Sequence, residues 1–205
     1  MSENEKLLEV IELLEKEYGI PKVKRSGAIE TMVKTILSQN TTDEARDSAY
    51  SSLRELGSWE EISSLPEEEI AKAIRTCGLQ HNKARTIKEF LLWARRRNFN
   101  LDFLCENPEE SLIELKRIRG IGEKTAKVFL LFYCNAPLFP IDTHISRILK
   151  RIGISEKGID EEIPEGKHLS LHLNMIKHGR RVCKSRNPSC SSCSLRRLCD
   201  WGGGK

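Results

Sequence analysis

No apolar run in this chain approaches the roughly 18 residues that a membrane-spanning helix needs, which excludes that class of protein. The N-terminal stretch MSENEKLLEV lacks a basic patch followed by an apolar segment and a small-residue cleavage site. A secretory signal peptide is therefore not expected, and the expected location is cytoplasmic, at the nucleoid if the partner is DNA. No segment alternates apolar and polar residues with a period of two, so strands are not expected. Low-complexity tracts and internal repeats are also missing. Acidic residues fail in one place: between Lys177 and Arg197 come Lys177, Arg180, Arg181, Lys184, Arg186, Arg196 and Arg197, with no Asp or Glu among them. The whole chain carries only +4. A one-signed basic segment in a near-neutral chain points to a polyanion partner, the alternative being a solvated basic face.

What is present is helical. The 205 residues suffice for one large domain or two small ones. Leu7, Leu8, Ile11, Leu14 and Tyr18 recur at helical spacing, as do Ile29, Met32, Val33, Ile36 and Leu37. Thr41 with Glu44, and Ser58 with Glu61, have the spacing of a capping box. Pro66 before three glutamates, and Asn107-Pro108 before Glu109 and Glu110, read as helix starts. Gly78 and Gly120 read as stops. These signals predict helices near 5–18, 28–38, 43–56, 67–77, 83–97, 108–118, 124–134, 143–152 and 168–181, hence an all-α protein. The polar stretch GISEKGIDEEIPEG, Gly153 to Gly166, reads as a connection between subdomains.

Three places carry candidate chemistry. In IRGIGEKTAKVF, Gly120-Ile121-Gly122 separates two predicted helices. Such a turn brings free N–H groups to a helix N-terminus, where a phosphate fits, as in a helix-hairpin-helix with Ile121 packed between the helices. Lys124 falls in the first turn of the second helix, where the dipole disfavours a cation. It is either an accessory cation or a nucleophile, and the motif alone favours the cation. Asp142, eighteen residues on in PIDTHI, precedes an amphipathic helix. It is either a simple N-cap or a carboxylate that stabilises positive charge and assists proton transfer. Cys183, Cys190, Cys193 and Cys199 have the spacing C-x6-C-x2-C-x5-C, open to zinc, to two disulfides or to an iron–sulfur cluster. Lys184 and Arg186 lie in the six-residue gap. The remaining cysteines, Cys77, Cys105 and Cys134, sit in apolar settings and read as small core residues.

In their order and spacing, GIGEKTA, PIDTHI and the cysteine pattern resemble the endonuclease III family of helix-hairpin-helix DNA glycosylases. The resemblance runs from about Ile29 to Cys199. It implies two helical lobes with a DNA-binding cleft between them: a six-helix barrel ending in the hairpin (26–135), and a cluster lobe formed by 1–25 and 136–205. It implies Lys124 and Asp142 as catalytic residues and the four cysteines as ligands of a [4Fe–4S] cluster. Gly120, Ile121, Gly122, Lys184 and Arg186 would bind DNA. LSQNTTD occupies the position of a family segment whose side chain fills the gap left by a flipped base. Asn40, where the family more usually has Gln, takes that role, with Gln39 beside it. In CGLQHNKA, Leu79 is a candidate wedge into the opposite strand, with a buried helix-stop leucine as the alternative. The connector 153–166 is shorter than the family pattern by roughly two helical turns.

The implied activity is that of a monomeric bifunctional DNA glycosylase and AP lyase. It would act on double-stranded DNA with damaged bases, oxidised pyrimidines among them, or with abasic sites. A glycosylase for mismatched thymine or uracil and a non-catalytic DNA-binding iron–sulfur module are the rivals. The abundance of Lys and Glu matches thermophile composition.

Overall fold

The computed structural model describes residues 2–201, which form eleven α-helices, four short 3-10 turns and no strand. The helices are α1 (Glu3–Tyr18), α2 (Ala28–Leu37), α3 (Asp43–Arg54), α4 (Trp59–Ser64), α5 (Glu67–Ala73), α6 (Gln80–Arg95), α7 (Pro108–Lys116), α8 (Glu123–Cys134), α9 (Thr143–Ile152), α10 (Ile159–Glu162) and α11 (His168–Arg181). Ser58 and Glu61 close the capping box expected at α4, and Ser2 with Glu5 closes another at α1. The cap of α3 moves from the expected Thr41 to Thr42, whose hydroxyl accepts from Ala45 N. Thr41 is not available, because its hydroxyl is bonded to Lys83 and to the Cys77 carbonyl. The helix expected over 67–77 stops at Ala73, and Arg75–Cys77 continues as a 3-10 turn.

The chain divides into two compact units. One is Arg25–Ala136, which contains α2 to α8. Here α2 packs on α3, α6 and α8, and α6 packs on α4 and α5. Met32, Ile36, Leu37, Ile87, Phe90 and Phe129 are fully buried in this unit. Cys105 and Cys134 are not core residues. They form a disulfide from an exposed 3-10 turn to the last residue of α8, across 29 positions that contain the entire hairpin. The apolar neighbours that suggested core burial, Leu101, Leu104, Leu130 and Leu131, are themselves buried, whereas Cys105 is exposed and Cys134 half-buried.

The other unit joins the segment up to Lys24 to the chain from Pro137 onward. Leu7, Val10, Ile11 and Leu14 of α1 meet Ile145, Ile148, Leu149 and Ile152 of α9 and Leu171 and Met175 of α11 in one core. The stretch 153–166 is more than a connection. It contains α10, and Ile154, Ile159 and Ile163 are buried in this same core. Glycines and a proline interrupt the spacing that would have marked those isoleucines as one face.

A covalent loop of this length removes unfolded-state entropy worth about 3–4 kcal/mol. Replacing both Cys105 and Cys134 by alanine is expected to lower unfolding stability by up to that amount, measured by denaturant titration, with helical circular dichroism retained.

Candidate active site

The hairpin is set by one close approach. Gly120 has φ +89°, and a Cβ there would lie 2.0 Å from Thr86 Oγ1 on α6. Both facts require glycine. Gly122 differs: its φ is −86°, and a Cβ would meet nothing within 4 Å. The space beside Gly122 is therefore open toward solvent. Ile121 is 3% exposed, so it packs between the helices and can offer a ligand only its backbone. No side chain caps the first turn of α8, which leaves N–H groups for an anion. Lys116 closes the hairpin on Glu123 at 2.9 Å and holds that carboxyl below the usual range. Lys124, the second residue of α8, is exposed, and its side chain makes no hydrogen bond or ion pair among the described residues.

Gln39 and Asn40 follow α2 and diverge in role. The Gln39 amide donates to Thr125 Oγ1 at 3.0 Å, one residue beyond Lys124. Asn40 is exposed at φ +50° and its side chain has no partner among the described residues. Leu79 is also left-handed, at φ +50°, and is 58% exposed, so it is not the buried helix-stop leucine. Gln39, Leu79 and Gly120 line one cavity of about 310 Å³, together with Arg119 and Asn82.

In the other unit Asp142 is indeed the N-cap of α9. Its Oδ1 accepts from His144 N and Ile145 N, both at 2.8 Å. Oδ2 accepts nothing among the described residues, and the half-buried carboxylate lines an open cavity of about 730 Å³ beside Arg147, Lys150 and Trp201. The cap thus occupies one oxygen of the group and leaves the other over. Arg147 ties this helix to the cysteine segment, donating to Cys183 O at 2.9 Å and to Gly179 O at 3.1 Å. Gly179 permits that crossing, since a Cβ there would lie 2.8 Å from His144 Cβ.

Cys183, Cys190, Cys193 and Cys199 are all free thiols and all half-buried. Burial, and then the other three thiols, push the Cys193 thiol up to about 11. Four neighbouring half-buried thiols form a donor set suited to a cationic, thiolate-ligated centre. Among the described residues, no three His, Cys, Asp or Glu side chains form a shell for a single metal ion. Arg151 Nη1 donates to Cys183 Sγ at 3.2 Å and to Lys184 O at 2.9 Å. Lys184 and Arg186 themselves are exposed, as the loop reading requires. Burial pushes His178 down and the Tyr18 phenol up, and the Tyr18 hydroxyl lies 2.9 Å from His178 Nδ1. The other ring nitrogen, Nε2, lies 3.4 Å from Cys193 Sγ.

Residues 33–167 match the model of the HhH-GPD superfamily of base excision DNA repair proteins. Endonuclease III of Sulfolobus acidocaldarius is 36% identical over 190 residues, spanning 87% of this chain and 84% of that one. The chain belongs to the endonuclease III family. The Thermotoga maritima endonuclease III is 28% identical over 187 residues, covering 87% of this chain and 85% of the relative. Among solved structures, a trapped endonuclease III–DNA covalent intermediate superposes with TM-score 0.83 at 26% identity, covering 98% of each chain. A thermostable thymine-DNA glycosylase superposes with TM-score 0.80 at 18% identity over 97% of each chain, a likeness of fold alone.

Within this family framework, sequence reasoning missed Lys83, Thr125, Arg147, Arg151 and His178. Only Lys83 had a signal, since it falls on the same face of α6 as the buried Ile87, Phe90 and Leu91.

The two hairpin glycines should separate experimentally. Gly120→Ala is expected to destabilise the fold by at least ~1–2 kcal/mol, from left-handed strain alone. Gly122→Ala should unfold like the parent but weaken duplex binding in a fluorescence anisotropy titration.

Proposed function

We propose that Lys124 is the nucleophile of this base excision repair DNA glycosylase and AP lyase, and that Asp142 is its charge-stabilising carboxylate. The observation that carries the assignment is the amine of Lys124, exposed and unpartnered among the described residues at the uncapped start of α8. Phosphates dock on the first-turn N–H groups beside Gly122, and a damaged base leaves the stack. Lys124 Nζ attacks C1′ of its sugar, and the N-glycosidic bond breaks with its electron pair going to the base. The Oδ2 of Asp142 opposes the positive charge that develops on the sugar and relays the amine proton. Cleavage of the bond from C1′ to the ring oxygen then opens the sugar to a Schiff base, with a proton passing to that oxygen. Removal of a C2′ proton expels the 3′ phosphate and cuts the strand. Damaged pyrimidines in duplex DNA, and abasic sites, are the proposed substrates, and the cytoplasm the proposed compartment.

Cys183, Cys190, Cys193 and Cys199 would hold a [4Fe–4S] cluster, which on this reading supplies a structural cross-link rather than a reaction step. Around it, Arg151 and Arg147 fix the segment that turns Lys184 and Arg186 toward DNA. A mismatch-specific glycosylase shares the fold but has no need of a free lysine at this position.

Borohydride should trap wild-type protein covalently on an abasic duplex, and Lys124→Ala should abolish the adduct. Asp142→Asn, which keeps a capping oxygen, should slow base release by about 100-fold or more. Trapping undiminished in Lys124→Ala would remove the lysine from the reaction. Product analysis on thymine glycol, G·T and G·U duplexes separates the damage-specific reading from the mismatch one. Purified protein should contain iron and acid-labile sulfide in equal amounts, and Cys199→Ala should lose both along with thermal stability.

A further inference from the structure

Lys83 is 3% exposed, and no carboxylate among the described residues balances it. Its ammonium group has three protons and uses all three: on Leu37 O at 2.9 Å, on Thr41 Oγ1 at 2.6 Å and on Cys77 O at 2.9 Å. A buried ammonium held by neutral acceptors alone is costly, which makes its placement informative. Its acceptors come from two separate turns. Leu37 and Thr41 flank Gln39 and Asn40, while Cys77 precedes Gly78 and Leu79. The hydroxyl of Thr41 adds a link, with Gln39 O at 3.0 Å and Cys77 O at 2.7 Å as acceptors for its one proton.

Both turns pass through the left-handed region. Asn40 and Leu79 each have φ +50°, which asparagine tolerates but a leucine seldom occupies. Such conformations persist only when the surroundings over-determine them. Here the clamp supplies that determination, next to two exposed side chains that otherwise touch little.

We propose that Lys83 is a positioning residue that locks the Asn40 turn and the Leu79 turn into one body, so that insertion into the DNA stack at both points happens as one event. This rests on the glycosylase reading above, in which those side chains occupy the space of an extruded nucleotide and wedge its partner strand. Lys83 itself touches neither DNA nor the reacting sugar. Its effect falls on extrusion of a stacked, paired base and not on the lysine chemistry that follows. An abasic site, which has no base to extrude, should be nearly indifferent to it.

The test is Lys83→Met, which keeps the side-chain length and removes the three hydrogen bonds. Two rates are compared with wild type: single-turnover release of thymine glycol from a duplex, and borohydride trapping on a preformed abasic duplex. Release should fall by roughly 100-fold, the scale of a misplacement of about 1 Å. Trapping should change only a few-fold, and fluorescence of 2-aminopurine beside the lesion should report less unstacking. Equal losses in both assays, or no loss in either, overturn the proposal. If Lys83→Met does not fold, Thr41→Val removes one acceptor and should show the same split at smaller size, and equal losses there overturn the proposal as well. Wild-type protein that neither releases base nor traps an abasic site overturns the glycosylase reading, and this role with it.

Discussion

A helix that must bind an anion with its first turn cannot fill that turn with a cap of its own. It gives up the stabilisation that Ser, Thr or Asp would contribute at its N-terminus, about 1 kcal/mol. Helix α8 likewise has no side-chain cap, and the unit around it holds it from outside. Gln39 grips it at Thr125, Lys116 reaches Glu123, and the Gly120 turn lies directly on Thr86 of α6. At the far end Cys134 is bonded to Cys105. These contacts hold the helix and leave its first turn without a side-chain cap.

Helix α9 shows the opposite solution. Its first turn is filled by Asp142, and the cap leaves one carboxylate oxygen over. The orientation of that carboxylate is inherited from the cap, and the orientation of α9 from its packing on α11 and from Arg147. Arg147 and Arg151, one turn apart, reach the backbone of the first cysteine and of the loop that follows it. Cys183, Cys199 and the carboxylate are therefore positioned by the same helix.

The helices were legible because apolar residues fell at helical spacing and because Ser58, Pro66 and Asn107 mark starts by local chemistry alone. The hairpin glycines, Lys124, Asp142 and the four cysteines were legible as motifs with defined separations. What could not be read depends on distant partners. Thr41 loses its capping role only because Lys83 reaches it from a helix 42 positions away. Cys105 and Cys134 look alike to Cys77 in local composition, yet only Cys77 is buried. Gln39 and Asn40, adjacent and chemically similar, are told apart by Thr125, which lies 86 positions from Gln39. Local pattern names the groups that have chemistry, and tertiary contact decides which of them are already occupied.

The Cys105–Cys134 bond also changes what kind of object the hairpin is. Between those residues the chain leaves and returns to one covalent point, enclosing α7, the glycine turn and α8. Topologically the hairpin element is a closed ring threaded into a linear polymer. A single peptide-bond break inside that ring would leave every residue of the protein in one molecule, with both helices still anchored at their outer ends.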